Sequence, residues 1–238
     1  MPGRAQRAPP ARDPRPRGKG AAGGPRAAAA AAIGAFLDAV LPAAVRGGPE
    51  LVGTPDRVAE AWLEDLVEGY RQDPAALLAG AMPARGRDLV AVTGIDYHAM
   101  CPHHLLPSRG VAHVAYLPSE RVIGFGQIAR LVDCFAHRLV LQEEVARQVA
   151  EALVLHLGAR GAACVLDAEQ SCLSVRGERR REARAHAQCF LGDLADDPRL
   201  QARFRALVDG AARRRGTSPR PTKLGSRSGS RSRSRSQP

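Results

Sequence analysis

Cys101-Pro102-His103-His104 is the densest run of reactive side chains in this sequence of 238 residues. A thiol and an imidazole separated by two residues are groups that Zn2+ takes as ligands, and the C-x-x-H spacing lets both reach one ion from a single turn. Cys172, far along the chain, is the third candidate ligand. Three protein ligands leave a fourth tetrahedral position for water, the pattern of a catalytic zinc; a structural zinc recruits a fourth residue instead. On spacing alone a second account stands level with this one, in which Cys172 is a buried core thiol and His103-His104 a solvated pair.

Such a site needs a scaffold that returns position 172 to the 101–104 turn. From Asp88 the hydrophobic period is two, with Leu89, Ala91 and Thr93 alternating with Val90, Val92 and Gly94. Val111 to Leu117 reads as a second strand, so the cluster falls in a loop carrying Tyr97 to Ser108. Two helices follow, Gln127 to His137 and Leu141 to Leu157, the second with Val145, Val149, Leu153 and Leu157 at helical spacing. Strands return at Ala163 to Ala168, Cys172 to Arg176 and Ala183 to Phe190, before a closing helix over Pro198 to Val208.

Upstream, the pattern predicts a helix from about Ala27 to Val45, stopped by Gly47 and Gly48. A second helix opens with Thr54 as N-cap and Pro55 at its first position, carries Val58, Ala59, Trp62, Leu63, Leu66 and Val67 on one stripe, and ends near Tyr70. A short helix from Pro74 to Ala79 follows. Strand pairs flanking a helical pair imply an α+β domain, an antiparallel sheet with helices on one face.

The net charge of +11 suggests a nucleic-acid binder until it is divided by position. Residues 1–28 carry +6, residues 211–238 carry +9, and residues 29–210 carry −4. The basic excess therefore belongs to the two ends and says little about the ligand of the middle. Both ends have compositions that bury too little apolar surface to offset ordering entropy, which predicts a disordered basic tail over 1–28, one domain over 29–210, and a disordered Ser/Arg-rich tail over 211–238. The Ser226 to Ser236 run offers weak polyanion contact or plain solubility; no aromatic residue is interleaved to stack a base. Five widely spaced cysteines argue for free thiols in a reducing compartment. No run is long enough to span a membrane, and a cytoplasmic protein is expected.

Cys101-Pro102-His103-His104-Leu105-Leu106-Pro107, Gly110 to Pro118, Val122-Ile123-Gly124, Ile128-Ala129-Arg130, Arg138 with Gln142-Glu143, and Cys172 with Arg176-Gly177 together resemble the GTP cyclohydrolase I family. The similarity runs in order from about Thr54 to Leu207. It implies a tunnelling fold of β-β-α-α-β-β order that assembles into a barrel-like homo-oligomer, usually a decamer. The implied reaction converts GTP and water to 7,8-dihydroneopterin triphosphate and formate, a step of pterin and tetrahydrofolate biosynthesis. By this resemblance Cys101, His104 and Cys172 hold the Zn2+ and His103 is the proton donor beside it, a task suited to an imidazole. Gln142 and Glu143 fall on the purine-recognition positions; a carboxylate accepts hydrogen bonds from N1–H and the exocyclic amine of guanine, which adenine cannot offer. Arg57, Arg130 and Arg176 match the positions lining the triphosphate path, where the guanidinium fork suits phosphate oxygens.

The sequence leaves the family pattern at four places. Gln170 stands where a second histidine is expected before the last cysteine, and an amide cannot carry a proton. Gly126-Gln127 replaces a Ser-Lys pair, Glu60 replaces a lysine, and Pro102 replaces an acid. These departures keep two other readings open beside the cyclohydrolase: a diverged paralogue acting on another purine nucleotide, and a weakly active or non-catalytic nucleotide- or pterin-binding oligomer. An RNA-associated protein acting through its Ser/Arg tail is a third.

Overall fold

The computed structural model describes residues 24–177 and 179–216, so the expectations for residues 1–23 and 217–238, including the Ser226 to Ser236 run, lie outside it. Among the described residues, those up to Glu68 form one compact unit and those from Gly69 onward a second.

In the first unit, helix α1 (Pro25–Val40) ends sooner than Val45. Leu41 precedes Pro42, whose ring disfavours helical geometry in its predecessor, and Leu41 is accordingly extended at φ −93°, ψ 139°. Helix α2 (Thr54–Ala61) starts behind Gly53, which takes the capping position at φ 71° and moves Thr54 into the first turn. It runs on through a wider turn over Trp62–Leu66, closed by the Val67 N–H donating to the Trp62 carbonyl at 3.0 Å. Arg26 bonds Glu60 at 2.8 Å within this unit.

The second unit opens with a short helix, α3 (Pro74–Leu78), capped by Asp73. Strands β1 (Val90–Met100) and β2 (Pro107–Leu117) follow, then helices α4 (Phe125–Ala136) and α5 (Gln142–Ala152) and strand β3 (Gly161–Gln170). A helical turn, α6 (Ser171–Ser174), leads toward strand β4 (Ala185–Gly192), and α7 (Asp193–Asp196) and α8 (Pro198–Gly216) close the chain. The four strands form one antiparallel sheet in the order β1-β2-β3-β4. A two-residue pair, Met82–Pro83 with Arg121–Val122, stands apart from it.

The strand pattern explains the layers. Ala112, Val114 and Tyr116 of β2 and Ala162, Cys164, Leu166 and Ala168 of β3 fall at alternate positions and bury themselves with Ile128, Leu131, Val132, Val145, Val149 and Leu153 from the helical segment between them. The opposite parity, Ala115, Leu117 and Ala163, packs with Leu194 of α7 and Phe204 of α8. Helices therefore cover both faces, not one. The closing helix also extends past Val208 to Gly216, beyond the domain limit expected at 210.

Two further expectations change. Tyr97 to Met100 belong to β1 and Pro107 to Ser108 to β2, which shortens the loop to residues 101–106. The stretch expected as a strand from Cys172 to Arg176 is instead α6 and the residues after it. Gln170 pairs with Ser108, one residue from the start of β2, so beyond it no ladder partner remains. The chain turns there, with the Val175 N–H donating to the Ser171 carbonyl at 3.0 Å.

Candidate functional site

Residues 97, 99 and 101 continue the period of two to the end of β1, so Tyr97, Ala99 and Cys101 share a face and line one cavity of about 310 Å3. The short loop then folds back on itself. The Leu105 N–H donates to the Cys101 carbonyl at 2.9 Å and the Cys101 N–H to the Leu106 carbonyl at 3.0 Å. Leu105 takes a positive φ of 53°, a conformation costly for a branched side chain and found where a tight turn demands it. The turn brings Cys101 Sγ to 3.7 Å from His104 Nδ1.

Cys172 arrives on α6 from the end of β3. One ligand atom each from Cys101, His104 and Cys172 lies within 4.8 Å of the others, and this is the triad expected from the sequence. The chemistry of the set fits zinc. Zn–S and Zn–N bonds of roughly 2.3 and 2.0–2.1 Å at a tetrahedral angle put sulfur and nitrogen about 3.6 Å apart, close to the 3.7 Å between Cys101 and His104. Burial, and then the adjacent Cys101 sulfur, push the Cys172 thiol up from its ordinary range, the mutual penalty of two thiols that a shared cation relieves. None of the five cysteines is in a disulfide.

His103, Gln142, Glu143 and Gln170 line the same cavity as Cys101 and Cys172. Its remaining wall is largely apolar, with Val140, Leu141, Val145, Leu173 and Ala185. Gln142 and Glu143 form the first turn of α5, whose N-terminus favours a carboxylate. The Gln142 amide nitrogen donates to the carbonyls of Ala185 at 2.9 Å and Leu166 at 3.3 Å, and its oxygen accepts from Gln170 Nε2 at 2.6 Å.

The arginines are not brought into this cavity; its lining contains neither Arg nor Lys. Arg176 follows α6 and is exposed, and near enough to Cys172 to draw its thiol slightly down. Arg130 is exposed on α4. Arg57 lies in the first unit, where it donates to the Val52 carbonyl at 2.9 Å and Thr54 Oγ1 at 2.8 Å.

Sequence reasoning missed Tyr97 and Ser108, both buried in the cavity wall. Beyond a register shift between Thr93 and Ile95, the alternation of Ile95, Tyr97 and Ala99 with Asp96 and His98 was the signal for Tyr97. Its position depends on Gly110, its cross-strand partner: a Cβ there would lie 2.3 Å from the Asp167 carbonyl oxygen, so only glycine lets β2 and β3 close. The Tyr97 hydroxyl has no hydrogen-bond partner among the described residues, and burial, followed by Cys164 and Asp167, holds its pKa far above the ordinary phenol value. Tyr97→Phe is expected to stabilise the protein by about 1 kcal/mol, because an unpaired buried hydroxyl costs roughly 1–3 kcal/mol. Urea denaturation checks this, and a loss of stability would show that the hydroxyl is bonded in solution.

The family model described as GTP cyclohydrolase I matches residues 31–209. The GTP cyclohydrolase 1 of Ralstonia nicotianae is 46% identical over 157 residues, 66% of this chain and 75% of the relative. That of Chromobacterium violaceum is 45% identical over 156 residues, 66% of this chain and 76% of the relative. The Deinococcus radiodurans protein of the same name is 37% identical over 177 residues, 73% of this chain and 82% of the relative.

Proposed function

Because the chain belongs to the GTP cyclohydrolase I family, we propose that it hydrolyses the guanine imidazole ring of GTP, releasing formate and leaving 7,8-dihydroneopterin triphosphate. The single observation that carries this reading is the convergence of a Cys-His-Cys triad, an imidazole and a helix-borne carboxylate, with Cys101, Cys172, His103 and Glu143 lining one cavity.

Cys101, His104 and Cys172 are the residues to hold zinc. Bound there, zinc supplies Lewis-acid activation of water at neutral pH. His103 borders the cavity beside the triad and is the group to give and take a proton at its imidazole nitrogen as the purine ring opens. Glu143 orients the base by accepting from N1–H and the exocyclic amine. Val140, Leu141 and Leu173 shield the reacting ring from bulk water. Gln170 contributes hydrogen bonds and no proton.

A cavity of about 310 Å3 without cations suits a base and its sugar better than three phosphates. The triphosphate is therefore assigned to cations of the second unit outside it, Arg130 on α4 and Arg176 two residues beyond the metal-site helix α6. The outer edges of β1 and β4 pair with no further strand among the described residues. Phe125 and Leu155 are 67% and 74% exposed. Both features support a homo-oligomer, a decamer by family analogy. Among the described residues no helix is long and apolar enough to cross a membrane; a cytoplasmic location and polyanion contact through the Ser/Arg tail remain proposals of the same kind.

Zinc-loaded protein incubated with GTP is expected to release formate and, after oxidation, to give a fluorescent pterin. Neither product from zinc-replete protein would reject GTP as substrate. Running GMP alongside tests the cation-free lining: equal turnover of GMP would favour a nucleotide with fewer phosphates.

A further inference from the structure

The amide of Gln142 is consumed by the protein itself. Both hydrogens of Nε2 are directed at backbone carbonyls, of Leu166 in β3 and Ala185 in β4, and carbonyls only accept, which fixes which end of the amide is nitrogen. The Oε1 at the other end then accepts the 2.6 Å bond from Gln170. An amide has two donors, and this one has neither left to offer a ligand. Gln142 is also the first residue of α5, a helix with no side-chain cap, so these bonds tie the start of α5 to two strands. Glu143 is the next residue, and Cys172 stands two beyond Gln170.

We infer that Gln142 and Gln170 form a positioning pair, a brace between α5 and the sheet, and that side-chain recognition of the guanine edge falls to Glu143 alone. The inference rests on the reading of this cavity as the purine site. Gln170 thereby has a role that needs no titratable proton: its amide N–H holds the Gln142 oxygen in place, which keeps the α5 terminus and its carboxylate at the rim. Removing either amide loosens the whole edge and weakens every purine nucleotide alike. Removing the carboxylate erases the difference between purines, because only Glu143 senses the exocyclic amine.

The test compares GTP with inosine triphosphate, which lacks that amine, using dissociation constants from calorimetry on full-length protein with turnover stopped by a chelator, and kcat/KM on the zinc-loaded enzyme. The unaltered protein is expected to prefer GTP by about 10- to 100-fold, the weight of a hydrogen bond to a charged group. Glu143→Leu, which leaves no acceptor for the exocyclic amine, should bring the ratio close to one. Gln142→Met and Gln170→Met should weaken both nucleotides by about 10-fold while leaving the ratio within twofold, and Gln170→His, which restores a donor, should recover affinity. A Gln142→Met ratio altered by more than about fivefold would overturn the inference, as would an unaltered protein with no preference for GTP. Should Gln142→Met fail to fold, Gln170→Met breaks the same bond from the other side. Selective binding without formate release would reject the proposed reaction and leave the brace standing.

Discussion

Cys172→Ala is expected to yield a folded protein that takes up almost no zinc and releases formate about 10⁴-fold more slowly than the unaltered chain. Its sulfur is one of three ligand atoms lying within 4.8 Å of one another, and it is the only one delivered from outside the 101–104 turn. Without it the turn offers a two-residue C-x-x-H grip, too few ligands for a stable tetrahedral site. The loss in rate should reach or exceed the 10²–10⁴ typical of removing a general acid, since the activation of water goes with the metal. Stability should change little, because Cys172 is only half-buried on a four-residue helical turn. The reading of Cys172 as a core thiol predicts the reverse, a drop in melting temperature with zinc retained. Cys164→Ala is the control: Cys164 is fully buried between the sheet and α5, so its loss should lower stability and spare the metal. Zinc content by atomic absorption, set beside melting temperature for both variants, separates the accounts.

The parts of the site that sequence could reveal are those carried by local spacing. Cys101 and His104 are three positions apart, and their convergence needs nothing beyond one turn. The helices between the strand pairs show themselves through Val145, Val149 and Leu153 at helical spacing, and the strands through alternation on β2, where Ala112, Val114 and Tyr116 take one face and Ala115 and Leu117 the other. What stayed hidden depends on partners distant in sequence. Cys172 looked like the opening of a strand because nothing in Ser171 to Arg176 announces that the ladder has run out of neighbours at Gln170. Tyr97 was assigned to a loop because the register shift between Thr93 and Ile95 breaks the phase of the alternation that starts at Asp88, a break that the pairing of β1 with β2 makes plain. Gln142 read as a substrate contact since its bonds go to carbonyls 24 and 43 residues away. The resemblance supplied residue roles that spacing left level with a bland alternative.

Phe204→Ala is expected to cost about 3–5 kcal/mol, the range for emptying a fully buried phenylalanine site, and to lower the melting temperature by about 10 °C. Phe204 is 0% exposed and packs with Ala115, Leu117, Ala163 and Leu194 on the second face of the sheet, its ring edge-on to Phe190 at 6.1 Å between centroids. Alanine cannot reach those side chains, and small neighbours such as Ala115 and Ala163 have little freedom to collapse into the gap. A near-neutral change would mean that α8 does not anchor this second face of the sheet. The same variant also tests whether stability and site are separable. Leu117 and Ser108 are nine residues apart on β2, about 30 Å at the rise of an extended strand, so the cavity left by Phe204 opens at the end of the sheet away from Cys101 and Cys172. Zinc uptake at low temperature should therefore remain at one equivalent per chain. Loss of zinc in a variant still folded at that temperature would mean that the packing of α8 reaches the metal triad through the sheet.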